Sequence, residues 1–321
     1  MQENTETQNN TEEEHINQIY DKILKRILTL SAGAVINLIN GLFGTNFPLG
    51  SNIVYNWTEN VDNNLKKTIA DTILTIHVGE EIYRFHIEAE IDCGSTNDIS
   101  IVLRVFEYGY RDAFKHREVG KDKITLKFPQ PKIILLEHNS NSPNEVTLEL
   151  DFGADKKVDF TVPTVKFLDY SIEELNSQRM VILLPLYLLK LRQKIEKSVK
   201  QGAARQNAQA LKDLINNGIL KVIEENEKAG YIESYDSYVL AGLVKKLYDH
   251  LYGDIKEFEE EGVRSVFEDV LLVEYEEELL KERLEIATNF LAIGNSPEDV
   301  ATATKLPLGT IQKLQLQLVP A

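Results

Sequence analysis

KTIADTILTIHVGEEIYRFHIEAEI, residues 67–91, reads as two strands, 67–77 and 82–91, joined around Gly79-Glu80. In the second strand Tyr83, Phe85, Ile87, Ala89 and Ile91 take one face, while Arg84, His86, Glu88 and Glu90 take the other. A two-residue turn at Gly79-Glu80 pairs Val78 with Glu81 and sets Asp71 opposite Glu88; a four-residue turn sets Asp71 opposite Glu90. Both registers gather Asp71, Glu88 and Glu90 on one face, and a slip of one residue reverses that. Three carboxylates this close repel unless something positive sits among them. Mg²⁺ answers that need with oxygen ligands, retained waters and a place for a substrate phosphate. Such an ion acidifies a water for attack on phosphorus and offsets the developing charge. The blander alternative is a solvated face on an edge hairpin.

Outward from the hairpin, the apolar stripe Ile16, Ile19, Ile23, Leu24, Ile27 and Leu28 predicts a helix over 15–43. Asn37, Asn40 and Gly41 weaken its far end, and 44–50 reads as a loop. A second amphipathic helix is predicted over 98–116, with Arg104, Tyr108 and Arg111 on one side. The run Ile133-Ile134-Leu135-Leu136 suits a buried central strand, and 146–152 with 157–162 suits another hairpin around Gly153-Ala154-Asp155. The expected fold class is α/β, a mixed sheet flanked by helices, followed by an all-helical C-terminal region. The apolar segment 180–191 should pack on the core. Ser296, Pro297 and Asp299 signal a capped helix, and a second short helix after Pro307 makes a pair resembling a helix-turn-helix. The expected organisation is a disordered acidic tail at 1–14, the α/β core at 15–175, a helical region at 176–291 and the helix pair at 292–321.

The net charge of −16 argues against indiscriminate nucleic-acid binding, since phosphate neutralisation supplies most non-specific affinity. Charge is segregated, however. Between 190 and 212 stand Lys190, Arg192, Lys194, Lys197, Lys200, Arg205 and Lys212 against the one acid Glu196, a basic run that either tracks a phosphate backbone or is a solvated helix face. No run of apolar residues is long enough to span a membrane. The polar, acidic N-terminus argues against a secretory signal, and the lone Cys93 fits a reducing cytoplasm.

Several motifs carry a resemblance: YDKILKRIL at 20–28, IADTILTI at 69–76, FHIEAEID at 85–92 and IVLRVFEYGY at 101–110. KFPQPKIILLEHNSNSP at 127–143, VDFTVP at 158–163, ILLPLYLLKLR at 182–192 and the tail GNSPEDVATATKLPLGTIQKL at 294–314 continue it. In order and spacing they resemble the PD-(D/E)XK nuclease superfamily, in its transposase-associated branch related to recombination-promoting nucleases. The resemblance implies a restriction-endonuclease-like core that cuts DNA phosphodiesters with Mg²⁺, for which Mn²⁺ can substitute. It assigns Asp71 and Glu88 to the metal, with Glu90 assisting as a further ligand or proton acceptor and Arg104 stabilising phosphate charge. Where the superfamily has E-x-K and the branch HIExQ, this chain has HIEAE, so Glu90 stands where Lys or Gln is the rule. The alternative is therefore a catalytically degenerate member acting as a DNA-binding or protein-interaction module, and an RNA-cutting relative would use the same residues. Cutting both strands of DNA needs two sites, hence the expectation of a homodimer.

Overall fold

Residues 72–90 of the quoted stretch form two adjacent strands within a six-stranded mixed sheet. The computed structural model describes residues 19–20, 22–56, 59–61, 67–69, 72–90, 100–267, 283–292, 294–304, 306, 310–311 and 314–315. The tail expected at 1–14, Asp71 and Cys93 lie outside the described residues. The chain divides into two compact units, Met1–Val263 and Arg264–Ala321.

In the first unit the strands are β1 (Asn52–Asn56), β2 (Glu59–Val61), β3 (Lys67–Ile69), β4 (Thr72–Val78), β5 (Glu81–Glu90), β6 (Glu118–Val119), β7 (Ile124–Thr125), β8 (Gln130–Leu135), β9 (Glu145–Asp151) and β10 (Lys157–Lys166). The main sheet runs β1-β4-β5-β8-β10-β9; β2-β3 and β6-β7 are separate two-stranded pairs. Strands β1, β4 and β5 form an antiparallel meander, β5, β8 and β10 are parallel, and β9 returns antiparallel on β10. The predicted strand 67–77 is thus divided, because 67–69 pairs with β2 while β4 starts at Thr72 and pairs with β1 and β5. Val78 pairs with Glu81, which selects the two-residue turn, and Gly79 takes the positive φ of 61° that suits glycine at the first turn position. β5 is an interior strand, so the reading of its polar face as a solvated edge is overturned.

The predicted helix 15–43 is broken in two. A helical turn at 22–27 ends, and helix α1 (Ala32–Phe43) starts afresh behind Ser31, whose hydroxyl accepts from Ala34 N. The break is held from far away in sequence. Buried Asp236 accepts from Ser31 N (2.8 Å), Ser31 Oγ (2.5 Å) and Glu233 N (3.0 Å). The residues read as weakening the far end secure it instead. Asn37 donates to Tyr231 O, and Asn40 bonds Thr45 Oγ and the Phe47 backbone to close the helix exit. α1 is buried nearly all round, as a helix between two layers must be. The Phe43 ring packs on Phe85 of β5 (4.6 Å between centroids), and on its other side α1 meets the apolar segment Val181–Leu191. That segment is a 3-10 run carrying Pro185, with Val181–Leu189 buried.

Helix α2 (Ser100–Lys115) covers the opposite face of the sheet. Its Ile101, Val102 and Val105 bury against Ile133 and Leu135 of β8 and Val162 of β10. The spacing of those residues along α2 is that of an amphipathic helix, and both helices together seal the central strands. Beyond the sheet the unit is helical, ending in Ser234–Tyr252 and Lys256–Glu260. Among the described residues no helix is long and apolar enough to cross a membrane.

The second unit contains the predicted capped helix, Pro297–Thr304, with Ser296 Oγ accepting from Asp299 N at 3.2 Å. Its Val300 packs with Ala287, Leu291, Leu306 and Ile311. Of the second helix expected after Pro307, residues 310–311 and 314–315 are helical.

Gly41 gives the packing of α1 a direct test. A Cβ there would stand 2.5 Å from Gln178 O and 2.5 Å from Met180 Cγ, whereas one on Gly242 within Ser234–Tyr252 would meet nothing within 4 Å. Gly41→Ala is expected to lower the unfolding free energy by about 1–3 kcal/mol. Gly242→Ala should raise it by up to about 1 kcal/mol through helix propensity. Urea denaturation of both variants reads the difference, and equal effects would refute the close approach.

Candidate active site on the central strand

The polar row of β5 meets a matching row on α2. Arg84 Nη1 lies 2.6 Å from Asp112 Oδ2 and donates through Nη2 to Lys127 O at 2.6 Å. One step along, the His86 ring packs 6.2 Å from that of Tyr108. At the far end, Arg104 Nη2 sits 3.4 Å from Glu88 Oε2 and 3.2 Å from Glu90 Oε2. The match is geometric. Two residues of strand advance about 6.7 Å and four residues of helix about 6 Å. Positions 84, 86 and 88 can therefore face 112, 108 and 104 with the helix running antiparallel to the strand.

Burial is graded along the row. His86 and Glu88 are closed off, Glu88 fully so at 0% exposure. The side chain of Glu90 is 23% exposed and that of Arg104 39%. His86 Nε2 lies 3.5 Å from Glu88 Oε1, so the two oxygens of Glu88 are addressed from different sides, one by His86 and one by Arg104. A buried carboxylate is tolerated only where such partners replace its water. The row opens to solvent at the carboxyl end of β5, where Glu90 and Arg104 are reached from outside.

Glu88, Glu90 and Arg104 are thus brought together. Asp71, the fourth residue singled out in the sequence, lies outside the described residues, and the described β4-β5 ladder stops at Thr72 opposite Ile87. The α2 face needs correction. Arg104 and Tyr108 point to the sheet, but the third member of their row is Asp112, four residues on, while Arg111 is exposed and bonded to Glu107. The charge complement of Arg84 and the four-residue spacing from Tyr108 were the available signals for Asp112.

A second cluster that sequence reasoning left without a role stands at the same end of the sheet. The parallel strands β5, β8 and β10 finish together, with Leu136 N donating to Glu90 O at 2.8 Å just past β8. Ligands of open α/β sheets bind at such carboxyl ends. Glu137, the next residue, lies 3.1 Å from Arg192 Nη1, and Arg192 Nε holds Glu196 at 2.8 Å. Burial pushes the Glu137 carboxyl above the usual carboxylate range, with Arg192 pulling against it. Burial also pushes the neighbouring Tyr20 hydroxyl up to about 12. Glu137, His138, Asp169, Lys190 and Gln193 line a cavity of about 190 Å³, in which His138 Nε2 lies 2.8 Å from Asp169 Oδ1. The signal for it was an acid and a histidine directly after the apolar run of a central strand.

Among the described residues no three His, Cys, Asp or Glu side chains are grouped so as to hold a metal ion. Glu88 and Glu90 offer carboxylate oxygens of the kind Mg²⁺ takes, but both share Arg104. Compared with protein-family models, curated proteins and solved structures, the chain matches none.

The Glu137 shift makes stability depend on pH. With its pKa raised on folding, the folded chain keeps a proton that the unfolded chain has lost. This contribution therefore falls as pH rises above the ordinary glutamate value of about 4.3. Glu137→Gln has no such loss, so its melting temperature relative to the parent should climb between about pH 4 and pH 7. A gap that is constant or closes over that range would contradict the burial of this carboxyl.

Proposed function

We propose that the chain is a Mg²⁺-dependent DNA endonuclease of the transposase-associated PD-(D/E)XK type, built on a restriction-endonuclease-like core. The observation that carries the reading is the placement of Glu88. It is a wholly buried carboxylate on an interior strand, directly beneath an opening where Glu90 and Arg104 reach solvent. Burying a carboxylate costs free energy that an apolar residue would not, so its presence asks for a role. The mixed sheet flanked by helices, with the site at the end of its parallel strands, supports the same reading.

In this reading Glu88 and Asp71 hold the ion, with Mn²⁺ able to replace Mg²⁺. The ion, when bound, supplies an acidified water and offsets negative charge on the phosphate. Glu90 stands at the solvent-facing side, where it can accept a proton, and Arg104 reaches the same opening to neutralise phosphate oxygens. His86 fixes the orientation of Glu88 from within.

One observation favours a second reading, a catalytically degenerate fold retained for DNA or protein binding. Arg104 already lies between Glu88 and Glu90 and meets part of the charge that an ion would otherwise balance. Purified protein incubated with supercoiled plasmid separates the two. Nicking that requires Mg²⁺ or Mn²⁺ and falls by about 10²-fold or more in Glu88→Gln and Asp71→Asn is the expected result. Activity unchanged in both variants would sink the assignment. Absence of both nicking and Mg²⁺-dependent thermal stabilisation would select the second reading.

A further inference from the structure

The register of the parallel strands places a lysine beside the acidic opening. Glu90 pairs with Leu135, and Leu135 pairs with Lys166 on β10. Directly paired residues share a face, and Phe160 and Val162 of β10 lie in the α2-side core, so Lys166 falls on the same face as Glu90. Two strand spacings put their backbones about 10 Å apart. From there the chain leads onward. Lys190 Nζ donates to Leu168 O, two residues past Lys166, and helix Arg192–Lys200 continues from Lys190 with Lys194, Lys197 and Lys200 exposed. These three span about 9 Å of helix.

Three acids of this region, among the described residues, are engaged by other groups. Glu137 and Glu196 hold Arg192, and Asp169 holds His138. Lys166, Lys194, Lys197 and Lys200 form no ion pair with another described residue. By contrast Lys221 and Lys228 are matched four residues along by Glu225 and Glu224, and Arg205 by Glu260 and Glu261. In a chain of net charge −16, four unneutralised lysines in sequence from the candidate site are a local reversal of sign.

We infer that Lys166, Lys194, Lys197 and Lys200 form the track along which the phosphate backbone of duplex DNA approaches the Glu88–Glu90 opening. The identity of the polyanion as DNA rests on the nuclease reading; the track itself rests on register and charge. Point charges on flexible stems bind phosphates without reading sequence, so the track supplies affinity and direction.

The test is binding, measured by fluorescence anisotropy of a short labelled duplex with the full chain in EDTA, where no cutting intervenes. Lys194→Glu/Lys197→Glu/Lys200→Glu should weaken binding about tenfold or more. The corresponding triple Gln variant should reduce the salt slope of log K by about 2.7, the loss expected for three phosphate contacts. Lys166→Gln should weaken binding and lower the slope by about 0.9. Lys221→Glu/Lys228→Glu, which removes lysines already ion-paired on another helix, should change affinity less than twofold. The Gln variants, checked for an unchanged melting temperature, guard against loss of folding. Parent-like binding by the triple variants, equal loss in the control, or RNA bound more than tenfold tighter than DNA would each overturn the proposal. Binding that depends on the track in a protein that does not nick plasmid would uphold the track and reject the nuclease reading.

Discussion

Three pairings between one strand and one helix govern the first unit: Arg84 with Asp112, His86 with Tyr108, and Glu88 with Arg104. A strand that places charged and polar groups in the interior is tolerated only when each finds its complement, because the desolvation cost of an unmatched charge exceeds what neighbouring apolar contacts return. The near-equality of two strand steps and one helical turn lets a single helix supply all three complements at once. Slipping α2 by one turn would set Arg104 against His86 and Tyr108 against Arg84. The polar row therefore fixes the position and direction of α2, which then determines how the chain crosses over to lay β8 parallel to β5. Apolar packing of Ile101, Val102 and Val105 supplies cohesion, while the charges supply register.

The same arrangement concentrates chemistry at one end. Because β5, β8 and β10 run parallel, their carboxyl ends coincide, and residues distant in sequence meet there: Glu88 and Glu90, Glu137 and His138, Lys166 and Asp169. Strands β4 and β9 run the opposite way, and β1, which shares the trio's direction, is separated from it by β4. The helical segments after the sheet close that end, with Arg192 clasping Glu137 and Tyr252 donating to Leu188 O at 2.8 Å.

How much of this was legible in the sequence differs by residue. The alternation of 83–91 and the glycine at 79 mark the hairpin and its register, because both are local properties of the chain. The apolar spacing of α2 was equally local. Nothing near Ser31 marks a helix start strongly enough to interrupt the stripe from Ile16 to Leu28. The decision is made by Asp236, whose place beside Ser31 exists only after folding. Asp112 shows the same limit. Its role follows from Arg84, a residue in another element, and helix spacing alone favoured Arg111 just as well. β1 went unread because its strand, Asn52–Asn56, is short and bordered by polar residues, and its pairing with β4 is what makes it a strand. Burial of Glu88 could not be inferred either, since an alternating strand has the same pattern at an edge as in the interior.

Glu90 takes on a different meaning once the chain is folded. In sequence it is a missing cation, an acid in place of the Lys or Gln of the resembled motif. In the fold a cation is present opposite it, delivered by α2 rather than by the strand. Counting formal charges, Glu88 and Glu90 against Arg104 leave one negative charge at the opening. A lysine at position 90 would instead have left Glu88 facing two cations. The acid at 90 therefore does not by itself argue against an ion. On the proposed nuclease reading it would favour holding one and leave phosphate to groups on other elements. Arg104 stands on α2 and Lys166 on β10, so on that reading charge stabilisation would depend on how those elements pack rather than on the spacing of a single strand.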